Sequence, residues 1–248
     1  MKNIFYIVIL LLTGCTTIQV PNEFTYKEIP TSEFTIASWQ KITDSSAPYK
    51  IYIEGDGYAF NARGQISSDP TPRGTLLREI AFGDKNPNVI YLARPCQYIK
   101  SEKCEKKYWS TARFSPEVID AEYQAIRSIA PDKELTLVGF SGGAQVAGLL
   151  AVTKKDLNIK KLITIAGNLD HKQWTTYHHL PPLTDSLNLQ DYKEDFSKIS
   201  QIHYVGSEDK VIPPILQKSI VSPSSLIVIK GATHNRNWQK TYKDIQKY

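Results

Sequence analysis

Short apolar runs recur along the chain and are separated by polar turns. Runs of this length, rich in valine, isoleucine and tyrosine, predict β-strands. The predicted strands cover residues 49–54, 89–93, 135–139, 162–166, 202–206 and 226–229. All but the first are almost continuously apolar, as expected for strands that are buried on both faces of a sheet. Residues 35–42 predict an additional edge strand.

Helical patterns lie between these strands. The predicted helices cover residues 116–130, 142–153, 213–220 and 238–248. Strands that alternate with helices are typical of an α/β protein with a mostly parallel central sheet flanked by helices. Two long segments, residues 94–114 and 168–198, fit neither pattern. Loops of this length in a compact domain usually carry function or shape an entrance.

Length and charge exclude some classes of protein. The 248 residues suit one large domain better than two small ones. The net charge of +5 is spread along the chain, and its densest basic stretch, residues 100–107, also contains Glu102 and Glu105. A nucleic-acid groove needs a more concentrated basic footprint, so we expect no nucleic-acid partner. The sequence has no Cys-x-x-Cys pair and no histidine-rich cluster, so it predicts neither a metal site nor a cofactor.

The first residues have the pattern of an export signal. A short positive stretch, residues 1–3, precedes an apolar run over residues 4–12. The run is shorter than the about 20 residues that span a bilayer, but it suits the central region of a signal peptide. Residues 12–15, Leu-Thr-Gly-Cys, resemble the lipobox of bacterial lipoproteins, in which the cysteine is diacylated and becomes the first mature residue. The alternative is an ordinary secretory peptide with a chance cysteine.

The lipobox resemblance implies a division of the chain into three parts. Residues 1–14 would be the lipoprotein signal peptide, residues 15–33 a lipidated N-terminus and polar tether, and residues 34–248 the folded domain. Acyl chains on Cys15 would hold the protein at a membrane of the cell envelope. Thr16 follows the cysteine, where inner-membrane lipoproteins of Gram-negative bacteria usually have Asp. If the source is Gram-negative, the resemblance therefore implies the periplasmic side of the outer membrane.

The chain has three cysteines, an odd number for an exported protein. If Cys15 is acylated, Cys96 and Cys104 remain as a pair in an oxidising compartment. A disulfide between them would close a short loop and stabilise the fold by roughly 2–3 kcal/mol through its effect on the unfolded chain. The alternative, two reduced thiols, requires a cytosolic protein and conflicts with the export signal.

Residues 139–143, Gly-Phe-Ser-Gly-Gly, match the pattern Gly-x-Ser-x-Gly between a predicted strand and a predicted helix. A sharp turn in this setting exposes a serine above the sheet, and the glycines leave room for the neighbouring strand and helix. We therefore predict Ser141 as a nucleophile and the backbone N–H of Gly142 as a donor to a developing oxyanion. The alternative is a glycine-rich turn without chemistry.

Two later segments fit the same scheme. Residues 206–213, Gly-Ser-Glu-Asp-Lys-Val-Ile-Pro, follow one predicted strand, and His234 lies just after the last one. With the serine motif, these segments resemble the α/β-hydrolase superfamily over about residues 49–234. The lipobox and the segments 93–98 (ARPCQY), 167–175 (GNLDHKQWT) and 182–188 (PLTDSLN) are similar to uncharacterised bacterial α/β-hydrolase lipoproteins. The resemblance implies a fold and serine chemistry but no particular substrate.

The superfamily resemblance also implies the partners of the serine. Its members have the chain order serine, acid, histidine. This order implies Asp209 as the acid, with Glu208 as the alternative, and His234 as the general base. The other four histidines either precede the acid or lie inside a predicted strand: His171, His178, His179 and His203.

A second oxyanion donor in that fold comes from the loop after the third strand. Here residues 55–57, Gly-Asp-Gly, follow the predicted strand 49–54. They are similar to the Gly-Asp-Gly loops of esterases but lack the leading histidine of related loops. The resemblance implies the backbone N–H of Asp56 or of Gly57 as the donor. The alternative is a plain tight turn.

These features favour a membrane-tethered serine hydrolase that works through an acyl-enzyme on a small-molecule or lipid ester, as esterases and lipases do. A serine peptidase or a thioesterase would use the same three residues, and a catalytically silent envelope protein would have kept only the fold. Aromatic and histidine side chains in the two long segments either line a substrate pocket or pin these loops to the surface: Tyr98, Tyr108, Trp109, Phe114, Trp174, Tyr177, His178 and His179.

Overall fold

The computed structural model describes residues 19–248. The predicted signal peptide and the predicted lipidation site, Cys15, lie outside these residues. None of the helices in the described range combines the length and the apolar character that a bilayer crossing requires.

Eight strands form one continuous sheet in this part of the chain. They are β1 (Thr25–Pro30), β2 (Thr35–Ile42), β3 (Tyr49–Ile53), β4 (Asn88–Leu92), β5 (Leu135–Phe140), β6 (Ile159–Ile165), β7 (Gln201–Gly206) and β8 (Leu226–Ile229). Their order across the sheet is β1-β2-β4-β3-β5-β6-β7-β8. Strands β3 to β8 run parallel, whereas β2 is antiparallel to both of its neighbours. The predicted α/β class with a mostly parallel sheet is confirmed.

Helices cover both faces of the sheet. They are α1 (Leu76–Gly83), α2 (Pro116–Ile129), α3 (Gly142–Thr153), α4 (His171–Tyr177), α5 (Lys193–Phe196) and α6 (Gln239–Ile245). Apolar side chains of α2, α3 and α5 form one core with the sheet, and those of α1 and α6 form a second core on the opposite face. This three-layer packing explains why the central strands are apolar almost throughout.

The strand order places the functional loops together. After β3 the chain continues to β4 on one side and then returns to β5 on the other side of β3. Ligands of open α/β sheets bind at such a switch point, outside the carboxyl ends of the strands. The loops that follow β3, β5, β7 and β8 all leave the sheet at this carboxyl edge, because these strands are parallel.

The six predicted strands are all present, with small shifts at their ends, but the sheet extends further than the sequence indicated. Thr25–Pro30, which the prediction placed in the tether of residues 15–33, forms β1 and pairs with β2. Consequently β2 is not an edge strand. Five of the six side chains of β1 are exposed, so this strand has no apolar pattern that sequence reasoning could detect.

Strand β8 also differs from its prediction. The prediction placed it among strands that are buried on both faces, but it is the last strand of the sheet and pairs only with β7. Val228 is 54% exposed as a result. The predicted helix 213–220 is a single 3₁₀ turn over Pro214–Gln217, and the predicted helix 238–248 corresponds to α6.

Candidate active site

Ser141 lies in the turn between β5 and α3, with φ of 51° and ψ of −120°. A side chain is strained in this conformation, and such strain is concentrated at functional sites. Gly139 and Gly143 make the turn possible, because a Cβ on either would meet backbone atoms, of Ala144 in the first case and of β3 in the second. The local sequence thus presents the Ser141 hydroxyl at the carboxyl edge of the sheet.

His234 connects the serine to a carboxylate. Its Nε2 lies 3.0 Å from Ser141 Oγ, and its Nδ1 lies 2.8 Å from Asp209 Oδ2. With the proton on Nδ1, the imidazole donates to Asp209 and accepts a hydrogen bond from the Ser141 hydroxyl through Nε2. This is the arrangement in which a histidine acts as a general base toward a serine. The three residues come from the loops after β5, β7 and β8.

The acidic loop after β7 presents Asp209 and not Glu208. Asp209 is 3% exposed, whereas Glu208 points to solvent. Asp209 Oδ1 accepts hydrogen bonds from the backbone N–H groups of Val211 and Ile212, each at 2.8 Å. These bonds fix the carboxylate, so that its other oxygen remains directed at His234.

Trp238 holds the loop that carries His234. Its side chain is fully buried, and its Nε1 donates to the carbonyl oxygens of Thr233 at 2.9 Å and of His234 at 3.3 Å. A second constraint comes from Phe140, whose ring lies 5.2 Å from the His234 imidazole. The loop therefore places the imidazole in one position over the end of the sheet.

The Gly-Asp-Gly loop after β3, residues 55–57, lies directly against the start of α3. A Cβ on Gly142 would overlap the Asp56 carboxylate, so the backbone of Gly142 and the loop are in close contact. Within residues 19–248, neither the Asp56 nor the Gly57 N–H donates to a backbone acceptor. All three predicted oxyanion donors, on Gly142, Asp56 and Gly57, are thus in the same small region beside Ser141.

Two buried guanidinium groups compensate the charge of the Asp56 carboxylate. Arg113 donates to Asp56 Oδ2 at 2.7 Å, and Arg94 lies 3.5 Å from Asp56 Oδ1. Arg94 also donates to the backbone carbonyl of Arg113, which couples the two side chains. The two guanidinium groups thus offset the negative charge of the Asp56 carboxylate beside Gly142.

Glu122 is a buried carboxyl group next to Arg94. Its Oε1 is 3.7 Å from Arg94 Nε, but the side chain is fully buried and makes no hydrogen bond within the described residues. Burial outweighs the attraction of Arg94 and raises the pKa of Glu122 to about 8. Glu122 is therefore mostly protonated at neutral pH.

A second buried carboxylate, Glu54, supports the loop of residues 55–57. Its Oε1 accepts the N–H of Gly55 at 2.8 Å, and its Oε2 accepts the hydroxyl of Tyr91 at 2.5 Å. Tyr91 in turn contacts the hydroxyl of Tyr98, at 3.2 Å. Burial raises the pKa of Glu54 above its ordinary value and the pKa of Tyr91 well above it, so the tyrosine remains a donor.

A cavity of about 810 Å³ opens over Ser141 and His234. Its wall combines apolar side chains with arginines and amides: Tyr58, Phe60, Arg73, Leu76, Arg113, Phe140, Asn168, Trp174, Ile212, Arg236 and Trp238. Its size suits a small organic substrate. Among residues 19–248, the His, Cys, Asp and Glu side chains form no group of three that could hold a metal ion.

Comparison with known proteins gives a match at the level of structure. No protein-family model and no curated protein sequence matches the chain. Est1E from Butyrivibrio proteoclasticus superimposes with a TM-score of 0.61 at 11% identity, covering 90% of this chain and 96% of that one. The esterase Pf2001 from Pyrococcus furiosus gives 0.60 at 14% identity, covering 91% and 89%. An alpha/beta fold family hydrolase from Bacillus anthracis str. Sterne gives 0.59 at 12%, covering 90% and 97%.

This chain has the α/β-hydrolase fold. The superfamily resemblance of the sequence is confirmed at the level of the fold. The turn with Ser141 follows β5, the loop with Asp209 follows β7 and the loop with His234 follows β8. Identities of 11–14% show a shared fold but do not indicate the substrate of this chain.

The long segments of this α/β-hydrolase fold contribute to the site unequally. Trp174 lines the cavity, and the guanidinium of Arg113 lies 6.0 Å from its ring. Tyr108, Trp109 and Phe114 are instead buried in the core beneath the first segment. Trp174 therefore fits the interpretation that these aromatics line a pocket. The three buried aromatics fit the other interpretation, that they hold the long segment against the domain.

The structure contains a disulfide between Cys96 and Cys104, the pair that the sequence left available. It closes a loop in which Cys96 and Tyr98 have positive φ, of 69° and 64°. Gln97 lies between them and is 1% exposed. The disulfide loop thus places the buried side-chain amide of Gln97 next to the loop of residues 55–57.

Several residues of the site were missed by sequence reasoning. Arg94 and Gln97 lie in the ARPCQY segment, which the sequence singled out without a role, and Arg113 lies in the same long segment. The separations in sequence are large: 57 residues between Arg113 and Asp56, and 42 between Gln97 and Gly55. The one signal in the sequence was the ARPCQY motif itself, which has an arginine and a glutamine at the start of a long segment with no predicted helix or strand.

Proposed function

We propose that this chain is a serine hydrolase that cleaves carboxylic esters through an acyl-enzyme. The observation that carries the proposal is the continuous path from the Asp209 carboxylate through the His234 imidazole to Ser141 Oγ, with contacts of 2.8 and 3.0 Å. This path ends at a strained serine under a cavity. A catalytically silent scaffold has no need of a strained, hydrogen-bonded serine, so the geometry favours an enzyme.

The proposed reaction begins with proton transfer from Ser141 Oγ to His234 Nε2 as the oxygen attacks the ester carbonyl. The Nδ1–H of His234 donates a hydrogen bond to the Asp209 carboxylate, which stabilises the imidazolium. The N–H of Gly142, and a second N–H from Asp56 or Gly57, would stabilise the oxyanion. His234 then returns the proton to the leaving alcohol, and water attacks the acyl-enzyme with His234 again as the base.

Esters are the proposed substrates because structural neighbours of this chain include the Pf2001 esterase, and because the cavity has both apolar and polar walls. A peptidase or a thioesterase would use the same three residues. Amide and thioester substrates therefore belong in the same assay as the esters.

Attachment to the membrane is the second part of the proposal. The lipobox-like residues 12–15 support acylation of Cys15, and a small-molecule or lipid ester of the cell envelope would then be the substrate. In a Gram-negative cell, the protein would then lie on the periplasmic side of the outer membrane, because Thr16 and not Asp follows the cysteine.

Labelling with a fluorophosphonate probe tests the nucleophile. The wild-type protein should be labelled, and the Ser141→Ala variant should not, because the probe reacts with an activated serine. A series of p-nitrophenyl esters, a peptidyl amide and an acyl thioester then separates the substrate classes by kcat/KM. Equal labelling of the two proteins would exclude Ser141, and faster turnover of the amide or thioester than of every ester would exclude the esterase assignment.

The acid is tested by two neighbouring substitutions. Asp209→Asn should lower kcat for an ester by about ten-thousand-fold, because the amide favours the wrong tautomer of His234. Glu208→Gln changes the adjacent exposed carboxylate in the same way and should leave kcat within about twofold of wild type, since most surface substitutions have little effect. The reverse pattern would show that Glu208 is the acid.

A further inference from the structure

The peptide group between Gly55 and Asp56 is held at its carbonyl. Gln97 Nε2 donates to the Gly55 carbonyl oxygen at 2.9 Å. A trans peptide is planar, so its C=O and N–H point in opposite directions. The N–H of this same peptide belongs to Asp56, one of the two candidate oxyanion donors. Gln97 therefore fixes the direction of the Asp56 N–H from the opposite side of the peptide.

Gln97 is itself fixed at both ends of its amide. Its Oε1 accepts the backbone N–H of Arg94 at 3.1 Å, which leaves Nε2 directed at Gly55. The side chain is 1% exposed, so water does not compete for these bonds. The disulfide between Cys96 and Cys104 constrains the backbone on which Gln97 lies.

The same amide also limits the residue on the other side of Asp56. Gly57 has φ of +64°, and a Cβ there would overlap the Pro70 carbonyl oxygen and lie 2.8 Å from Gln97 Nε2. At the opposite end of the loop, the N–H of Gly55 is already taken by Glu54 at 2.8 Å. Gln97 thus contacts the loop on both sides of Asp56, and the Gly55 N–H is not free to bind a substrate.

We propose that Gln97 is a positioning residue that aims the Asp56 N–H, and that this N–H is the second oxyanion donor. The inference rests on the proposed function, because an oxyanion forms only if the chain is a hydrolase. A hydrogen bond to the carbonyl of a peptide also polarises that peptide, so its N–H becomes a stronger donor. This proposal gives the ARPCQY segment a role. Gln97 donates to the Gly55 carbonyl, while the Arg94 N–H and the disulfide hold Gln97 in place.

Steady-state kinetics on a p-nitrophenyl ester test the role of Gln97. Gln97→Met preserves approximate side-chain length and removes both hydrogen bonds. Removal of one oxyanion donor lowers kcat by about 10²–10³-fold, so a misdirected donor should lower kcat by about 10–100-fold with KM nearly unchanged. The matched control is Gln246→Met, because Gln246 Nε2 also donates to a glycine carbonyl, that of Gly83, at 2.8 Å, and neither residue lines the cavity.

Inhibition by an alkyl boronic acid gives a second measurement, because its serine adduct is tetrahedral and anionic. The Gln97→Met variant should bind it about 10–100-fold more weakly, in line with the loss in kcat, because both depend on the same donor. A merely structural effect of the substitution would instead change KM, or lower the fraction of protein that a fluorophosphonate labels.

Gln97→Glu keeps the acceptor for the Arg94 N–H and replaces only the donor. The introduced carboxyl group would repel the Gly55 carbonyl when ionised, whereas it would donate to that carbonyl when protonated. The activity of this variant relative to wild type should therefore fall as pH rises. This ratio remains informative if Gln97→Met does not fold.

The outcomes separate the two proposals. If the wild-type protein neither hydrolyses an ester nor is labelled at Ser141, the proposed function is wrong. If the wild type is active but Gln97→Met has kcat within twofold of wild type, or changes only in KM, the role of Gln97 is wrong. A pH-independent ratio near one for Gln97→Glu would overturn that role as well.

Discussion

At the scale of the residue, Asp209 and Glu122 show how the surroundings decide what a buried carboxylate does. Asp209 has two backbone N–H donors and the His234 ring within hydrogen-bond distance. Glu122 has no hydrogen-bond donor within the described residues and only Arg94, at 3.7 Å, as a neighbouring charge. In the first residue, each carboxylate oxygen therefore has a hydrogen-bond partner. The second is held in a site that favours its neutral form.

Glu122 gives a pH dependence of stability with a definite sign. Its pKa is about 8 in the folded chain against an ordinary value of 4.5, so the folded state retains a proton that the unfolded state loses. Its contribution to stability is fully present below pH 4.5 and is lost as pH rises through about 8. The free energy of unfolding should fall over this window, relative to Glu122→Gln, by up to about 1.4 kcal/mol per pH unit. Urea unfolding at several pH values measures this difference.

The control for Glu122 is Glu134→Gln, which makes the same change at an exposed position. The difference in free energy of unfolding between Glu134→Gln and wild type should not vary with pH over the same window, because the side chain is exposed to solvent in both the folded and the unfolded state. If the free energy of unfolding of Glu122→Gln relative to wild type is also independent of pH, the expectation is wrong. Glu122 would then be ionised in the folded protein and paired with Arg94.

At the scale of the element, the junction of β5 and α3 determines where the serine lies. A Cβ on Gly139 would lie 2.5 Å from Ala144 Cα and 2.6 Å from the carbonyl oxygen of Gly143. These are backbone atoms of the first turn of α3, so they cannot move without displacing the helix. The close approach of strand and helix is thus a requirement for the position of Ser141 as well as for stability.

Gly139→Ala should therefore reduce both stability and activity. Overpacking of this kind costs about 1–3 kcal/mol, and we expect a value near the upper end because the clash is with backbone. The labelling rate of Ser141 should fall with it. Gly83→Ala is the matched control, since Gly83 ends α1 and a Cβ there would meet nothing within 4 Å. It should change stability by less than about 1 kcal/mol. Thermal unfolding and fluorophosphonate labelling of both variants check the prediction, and equal stability of the two would contradict it.

Sequence reasoning located the elements that carry a local signal. The central strands have apolar runs, and Ser141 directly follows one of them, β5. It failed for β1, because an edge strand with exposed side chains has a polar sequence like that of a tether. It also missed Gln97, because its role depends on a hydrogen bond to Gly55 across 42 residues, which no local pattern encodes.

At the scale of the whole molecule, the chain enters the first strand of the sheet from the side opposite to the candidate site. Thr25, the first residue of β1, pairs with Gln40, and β2 ends beside Asn88, the first residue of β4. Because β1 and β4 are both antiparallel to β2, β1 runs in the same direction as the parallel strands. The chain therefore enters β1 from the side of their amino ends, whereas Ser141 lies at the carboxyl edge. Phe24 is already docked, with its ring 4.7 Å from that of Phe82.

If Cys15 is acylated as proposed, the tether would be short and would join the domain on the side away from the cavity. Residues 16–23 separate Cys15 from Phe24, and an extended chain of about eight residues spans at most about 30 Å. The anchor would thus keep the domain close to the membrane without touching the residues that perform the reaction. Binding to the membrane and hydrolysis of a soluble ester should therefore be independent of each other.

Cys15→Ser tests this independence. The variant should move from the membrane fraction to the soluble fraction after alkaline washing, because it lacks the acyl chains that hold the protein. Its kcat/KM for a soluble p-nitrophenyl ester should remain within about twofold of wild type, since substitutions far from a site rarely alter it. Ser141→Ala is the complementary variant: it keeps Cys15 and should stay with the membrane while losing all activity. Retention of Cys15→Ser in the membrane would exclude lipidation at this cysteine, and a large loss of its activity toward the soluble ester would show that the tether contacts the site.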